Sequence, residues 1–146
     1  MILVVIAAMT GCGDQASAAP DQTTRVSSAP AVVEWGPLAV WNDPGTGDGD
    51  LPLLSGTVSI DDHCVTVEGH VLVWPATFTR WVLDDRTIEF LDPLARVVVS
   101  IRDGDRVELG GGEIIPGLPW IARPDATCPA NLFGVGSIGS VNGLAP

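Results

Sequence analysis

Gly or Pro stands at one position in five of this chain, 17 Gly and 12 Pro among 146 residues, and backbone punctuation that dense leaves little room for long helices or a coiled coil. Short strands joined by turns are what such a chain can build, and its length is that of one domain. Charge narrows the function. The 18 Asp and Glu face 7 basic residues, all Arg, for a formal charge of −11. A surface this acidic repels nucleic acid phosphates and anionic lipid head groups, so no nucleic acid partner is expected. With no Tyr, two His and three Cys, few groups remain for acid-base or nucleophilic catalysis.

The opening run from Ile2 to Met9 is apolar throughout, long enough for an export signal and well short of the ~20 residues that span a bilayer. It ends in Met9-Thr10-Gly11-Cys12, which resembles the lipobox of bacterial lipoproteins. Met9 stands where Leu is commonest in that pattern, and no Lys or Arg precedes the run. The resemblance implies cleavage before Cys12, lipidation of that Cys, and attachment to the outer face of a cell membrane. Two or more acyl chains, at ~0.8 kcal/mol per buried methylene, hold a domain durably where one would not. The chain accordingly divides into a lipoprotein signal peptide (1–11), a disordered tether (12–30), an extended approach segment (31–53) and a β domain (54–146). The tether is too polar to offset the entropy of ordering it, and its reach is roughly 20 to 25 Å.

From Leu54 onward the apolar residues recur with period two. Leu54, Val58 and Ile60 alternate with Ser55, Thr57 and Ser59, the signature of a half-buried strand. Similar runs follow at 65–68, 71–74, 78–83, 87–91, 97–101, 107–109 and 132–138, and Val32 to Trp41 offers a further short strand or packed strip. The expected fold is all-β: a small, partly open β-barrel resembling an oligonucleotide/oligosaccharide-binding barrel, or a compact sandwich, with one disulfide. Parity around Gly104 predicts a hairpin with an odd loop, Ile101 opposite Val107 and Val99 opposite Leu109. Gly110-Gly111-Gly112 predicts a sharp bend, a bulge or a close backbone crossing. The stretch Ile114 to Trp120 reads as an apolar loop over one end of the fold.

If Cys12 carries lipid, two thiols remain in an oxidising compartment, and the economical pairing is Cys64 with Cys128. The alternative is a soft-metal site of Cys64 with His63 and His70. Adjacent strand residues point to opposite faces, so His63 and Cys64 do not converge without a bulge.

The ordered set Gly56-Thr57-Val58, Cys64-Val65-Thr66-Val67, Leu72-Val73-Trp74-Pro75, Gly104 to Gly112 and Cys128 resembles a group of small, uncharacterised secreted lipoproteins of GC-rich, actinobacteria-like organisms. A Lys-free composition is consistent with such coding. The resemblance covers about Leu54 to Ile138; it implies an exported domain, and no catalytic residue.

The residues that remain for chemistry are few. No Gly-x-Ser-x-Gly elbow surrounds a Ser, which leaves a secreted hydrolase as the weakest reading. The acidic, Gly-rich stretch Asp43 to Asp50 lacks the Glu a calcium loop needs at its twelfth position, so it reads as a solvated turn. The candidate ligand-binding residues are Asp62, His63, His70 and Trp120. The last is one of five Trp, the others at 35, 41, 74 and 81, which read first as core. The expected function is a non-catalytic binding or envelope-interaction module, membrane-anchored and extracytoplasmic, with an envelope protein, a sugar or a small ligand as partner and no cofactor. A small-ligand or metal carrier using the segment Asp61 to His70 is the alternative.

Overall fold

The computed structural model describes residues 34–43, 53–114 and 117–146. The expected signal peptide, Cys12, the expected tether and the acidic stretch beyond Asp43 lie outside the described residues. Ten strands form in chain order: β1 (Ala39–Trp41), β2 (Leu53–Ile60), β3 (Val65–Val67), β4 (His70–Pro75), β5 (Thr79–Val82), β6 (Thr87–Leu91), β7 (Val98–Ile101), β8 (Arg106–Glu113), β9 (Trp120–Ala122) and β10 (Leu132–Val141). There is no helix among the described residues. The fold is all-β, as the punctuation requires.

Seven strands make the larger sheet in the order β10-β8-β2-β3-β4-β1-β9, and β10 also pairs with β4. The pairings among β4, β3, β2, β8 and β10 thus return on themselves, while β1 and β9 extend the sheet past β4, so this is no clean barrel. β5, β6 and β7 form a separate sheet. Trp81, Ile88, Phe90 and Ile101 of the small sheet share one core with Val58, Val67, Leu72, Trp74, Val107, Leu109 and Phe133 of the large one. Two sheets packed on a common core make a compact sandwich. Trp74 and Phe90 meet across it edge to face, ring centroids 5.7 Å apart at 61°, the arrangement the ring quadrupoles favour.

β4 reads Val71-Leu72-Val73-Trp74 without alternation, and a continuous apolar run buries both faces. Leu72 and Trp74 enter the main core, and Val71 and Val73 join Ala39 in a second cluster on the other face. Segment 31–53 contributes β1, which runs parallel to β4 with Val40 beside Trp74. The β3–β4 hairpin turns on Glu68 and Gly69, both with positive φ (47° and 75°), as a two-residue turn between twisted strands requires.

The hairpin predicted around Gly104 does not form. Ile101 pairs with Ile88 and Val99 with Phe90, whereas Val107 pairs with Gly56 and Leu109 with Leu54. Residues Arg102 to Asp105 instead carry the chain from the small sheet to the large one. Their turn rests on β2: Gly104 N donates to Val58 O (2.9 Å), Val58 N to Asp105 O (2.8 Å) and Ile60 N to the Asp103 carboxylate (2.7 Å). Parity alone cannot distinguish the two arrangements, because Ile101, Val107 and Leu109 face the core in both.

The Gly run lies within β8 rather than at a bend, and its close crossing is present. A Cβ on Gly111 would collide with the Gly134 carbonyl oxygen and the Phe133 ring. The irregularities fall on the partner strand, where the register of β10 against β8 shifts between Val135 and Ser137 and again between Ile138 and Ser140. The loop expected over 114–120 stops short of Trp120, which begins β9 and pairs with Trp41.

One buried carboxylate ties the sheets together. Asp92, 1% exposed, ends β6 and accepts backbone N–H bonds from Leu94 (2.7 Å), Ala95 (2.8 Å) and, across the sandwich, Ile138 of β10 (2.6 Å). A buried carboxylate is tolerable only with such donors. Asp92→Ala should therefore lower unfolding free energy in urea by about 2 to 4 kcal/mol, by orphaning the Ile138 amide and opening a void. A loss under about 0.5 kcal/mol, the scale of an ordinary surface change, would contradict this role.

Candidate functional site

Trp41, Ile114, Trp120, Cys128 and Leu132 pack against Ala39, Val71 and Val73 in the second apolar cluster, and three of them, Ile114, Trp120 and Leu132, line a groove of ≈ 920 Å³. Its lining comes from four stretches: His70 at the head of β4; Glu113, Ile114 and Gly117 from the end of β8 onward; Trp120, Arg123 and Pro124 in and after β9; and Ala130 to Phe133 where β10 begins. β4 thus presents one face to the main core and the other to the second cluster, and its first residue lines the groove.

Two of the four expected ligand-binding residues meet here. His70 and Trp120 both line the groove. The His70 Nδ1 lies 3.2 Å from the Glu68 carbonyl oxygen; a carbonyl only accepts, so Nδ1 is the donor of this bond. The Arg123 guanidinium sits 5.9 Å from the centroid of the Trp120 ring, a cation–π contact. Neither Arg123 nor Glu113 has a carboxylate or guanidinium partner among the described residues. By contrast Arg80 bonds Glu89 through Nε at 3.0 Å, and Arg86 bonds Asp62 at 2.9 Å.

Asp62 and His63 lie elsewhere. Both belong to the β2–β3 turn, where Asp62 is taken up by Arg86 and His63 lies 3.8 Å from Asp125. Asp61 shapes this turn: its Oδ1 accepts the backbone N–H groups of His63 (2.7 Å) and Cys64 (2.6 Å). The residues of the Asp61–His70 carrier reading are therefore not gathered, and the described residues contain no group of three His, Cys, Asp or Glu that could hold a metal ion.

The disulfide forms as expected, Cys64 to Cys128 across a separation of 64 residues. Closing a loop of that length stabilises the fold by roughly 4 kcal/mol in the chain-entropy account. Its position also matters locally. It fastens the segment between β9 and β10 to the β2–β3 turn, and that segment supplies Pro124, Ala130 and Asn131 to the groove wall. The backbone of the same wall is held where Val71 N donates to Asn131 O (2.8 Å).

Glu113, Arg123 and Asn131 escaped sequence reasoning. No motif marks them; they converge only because β8, β9 and β10 end at the same place. Of the five Trp, Trp74 and Trp81 are buried, and Trp35 and Trp41 pack partly buried against the two clusters. No family model matches the chain, and neither does any curated protein or solved structure.

The Asp61 carboxyl is held below the ordinary carboxylate range, first by the His63 amide and then by the Cys64 amide, against a smaller opposing effect of burial. Because the folded value is depressed, the stabilisation is present above the unfolded value near about pH 4 and disappears as pH falls through the folded one. Asp61→Asn keeps the acceptor oxygen and removes the titration. Its stability should fall less than the parent's when urea unfolding is repeated between neutral pH and about pH 3; equal acid losses in both proteins would contradict the assignment.

Proposed function

We propose that this chain is an extracytoplasmic lipoprotein, held to the outer face of a membrane through Cys12, whose β domain is a non-catalytic ligand-binding module using the groove over β4. The observation that carries the binding half is the lining itself: Trp120, His70, Glu113, Arg123 and Asn131 around the apolar Ile114, Leu132 and Phe133. A concave, largely preformed site with a few convergent polar groups is the usual form of a small-ligand site. Among the described residues the lining offers one imidazole and one carboxylate, and no Ser, Thr or Cys side chain, which favours binding over nucleophilic chemistry. The anchoring half rests on the Gly11-Cys12 pattern at the end of an apolar run, with the Cys64–Cys128 bridge in keeping with an oxidising compartment.

Two observations test it. The full chain expressed in a lipoprotein-processing bacterium should fractionate with membranes and begin at an acylated Cys12, and Cys12→Ala should release it; a soluble, unmodified parent would contradict the anchor. Amide shifts of the β domain in a screen of neutral, anionic and zwitterionic small molecules should cluster on residues 113–114, 120–124 and 130–133 with at least one class. Shifts scattered over the surface would contradict the binding site.

A further inference from the structure

We infer that the groove over β4 takes a neutral oligosaccharide, two or three sugar rings long, laid against Trp120 with its hydroxyls bonded to Glu113, Arg123 and Asn131. The inference rests on the reading of this groove as a ligand site and names the chemistry that the site fits.

The lining carries every kind of hydrogen-bonding group at once. Glu113 only accepts, Arg123 only donates, the Asn131 amide does both, and His70 adds an imidazole whose Nδ1 is spent on the Glu68 carbonyl. Among the described residues, none of Glu113, Arg123 and Asn131 spends a side-chain hydrogen bond or ion pair on another side chain, and Arg123 keeps its N–H donors while resting on the Trp120 ring. A ligand that uses such a set must itself donate and accept at closely spaced points, as the hydroxyls around a sugar ring do. Bonds from hydroxyls to an ionised carboxylate or guanidinium are also stronger than neutral ones.

The apolar side of the site fits the same ligand. A pyranose has hydroxyls around its rim and C–H groups on its faces, so it suits a half-buried indole set among polar side chains. Trp120 is such an indole, held by the Val71–Val73 cluster and by Arg123. A volume of ≈ 920 Å³ falls near the top of the range of roughly 300–1,000 Å³ for small-molecule sites, which is room for more than one ring.

Charge argues against the other classes. Glu113 and Arg123 place one carboxylate and one guanidinium in the lining, so neither sign dominates it in a protein of −11. Glu113 opposes an anion and Arg123 opposes a cation. A zwitterionic peptide would match both signs, but Glu113 and Arg123 are exposed, and exposed ion pairs gain little against water and salt. An acyl chain would strip water from four polar side chains and return no hydrogen bond.

The test is calorimetric titration of the β domain in its intact full-length chain, with chitotriose, cellotriose, maltotriose and trialanine as probes, each at low and high salt, with amide shifts locating the site. At least one trisaccharide should bind at the groove with a Kd that changes by less than about twofold between the two salt concentrations. Glu113→Gln, an exposed change that leaves the fold alone, should weaken that binding roughly fivefold or more. Trp120→Ala should weaken it roughly tenfold or more, and Trp120→Phe, which keeps an aromatic face, much less. Trisaccharide binding indifferent to Glu113→Gln and to both Trp120 changes would overturn the inference, as would affinity that collapses with salt. Binding of trialanine alone would overturn the sugar assignment and leave the groove a ligand site. If none of the four probes binds there, the inference and the binding-module reading fall together.

Discussion

The structure depends on β4 being buried on both faces. A strand of six residues, His70 to Pro75, pairs with β3, β1 and β10 and sends alternate side chains in opposite directions. Leu72 and Trp74 go to the core that holds the two sheets together, and Val71 and Val73 go to the second cluster. A one-residue slip would exchange the two sets and put an indole where the second cluster holds Val. The parallel pairing with β10, Val71 beside Leu132 and Val73 beside Gly134, fixes that register from the far end of the chain. The stability of the domain and the shape of its candidate site are thus set by the same six residues.

Around this strand the remaining devices divide by scale. Asp92 holds the small sheet to β10 through backbone bonds that no apolar residue could replace. Gly111 lets β8 and β10 approach so closely that no side chain fits between them. Cys64–Cys128 fastens the groove wall between β9 and β10, which belongs to no strand. Each constrains a segment that strand pairing leaves free, and together they leave the groove formed before any ligand arrives, which lowers the ordering cost of binding.

The sequence carried the class and the strands because both follow from local patterning: period two at 54–60 and 87–91, an unbroken apolar run at 71–74, and Gly or Asp between them. It also carried the Cys64–Cys128 pairing, by counting thiols. Partnership was legible only where parity forced it, and around Gly104 parity allowed both a hairpin and a passage between sheets; the decision lay with Val58 and Ile60, more than 40 positions away. Trp120 looked like a loop residue because Pro119 precedes it, yet its edge position in β9 tolerates a neighbouring Pro. The site was legible in two residues, His70 and Trp120. Glu113, Arg123 and Asn131 have no mutual spacing to read, since their proximity is a property of where three strands end.

Hydrogen exchange at single-residue resolution tests most directly the claim that β4 is the hub on which both core and groove rest. The amides of Val71 to Trp74 should fall in the slowest class, exchanging only through global unfolding, with those of the small-sheet edge strand β7 and of residues 123–131 exchanging faster. Amides of β4 that open as readily as those of β7 would contradict the account.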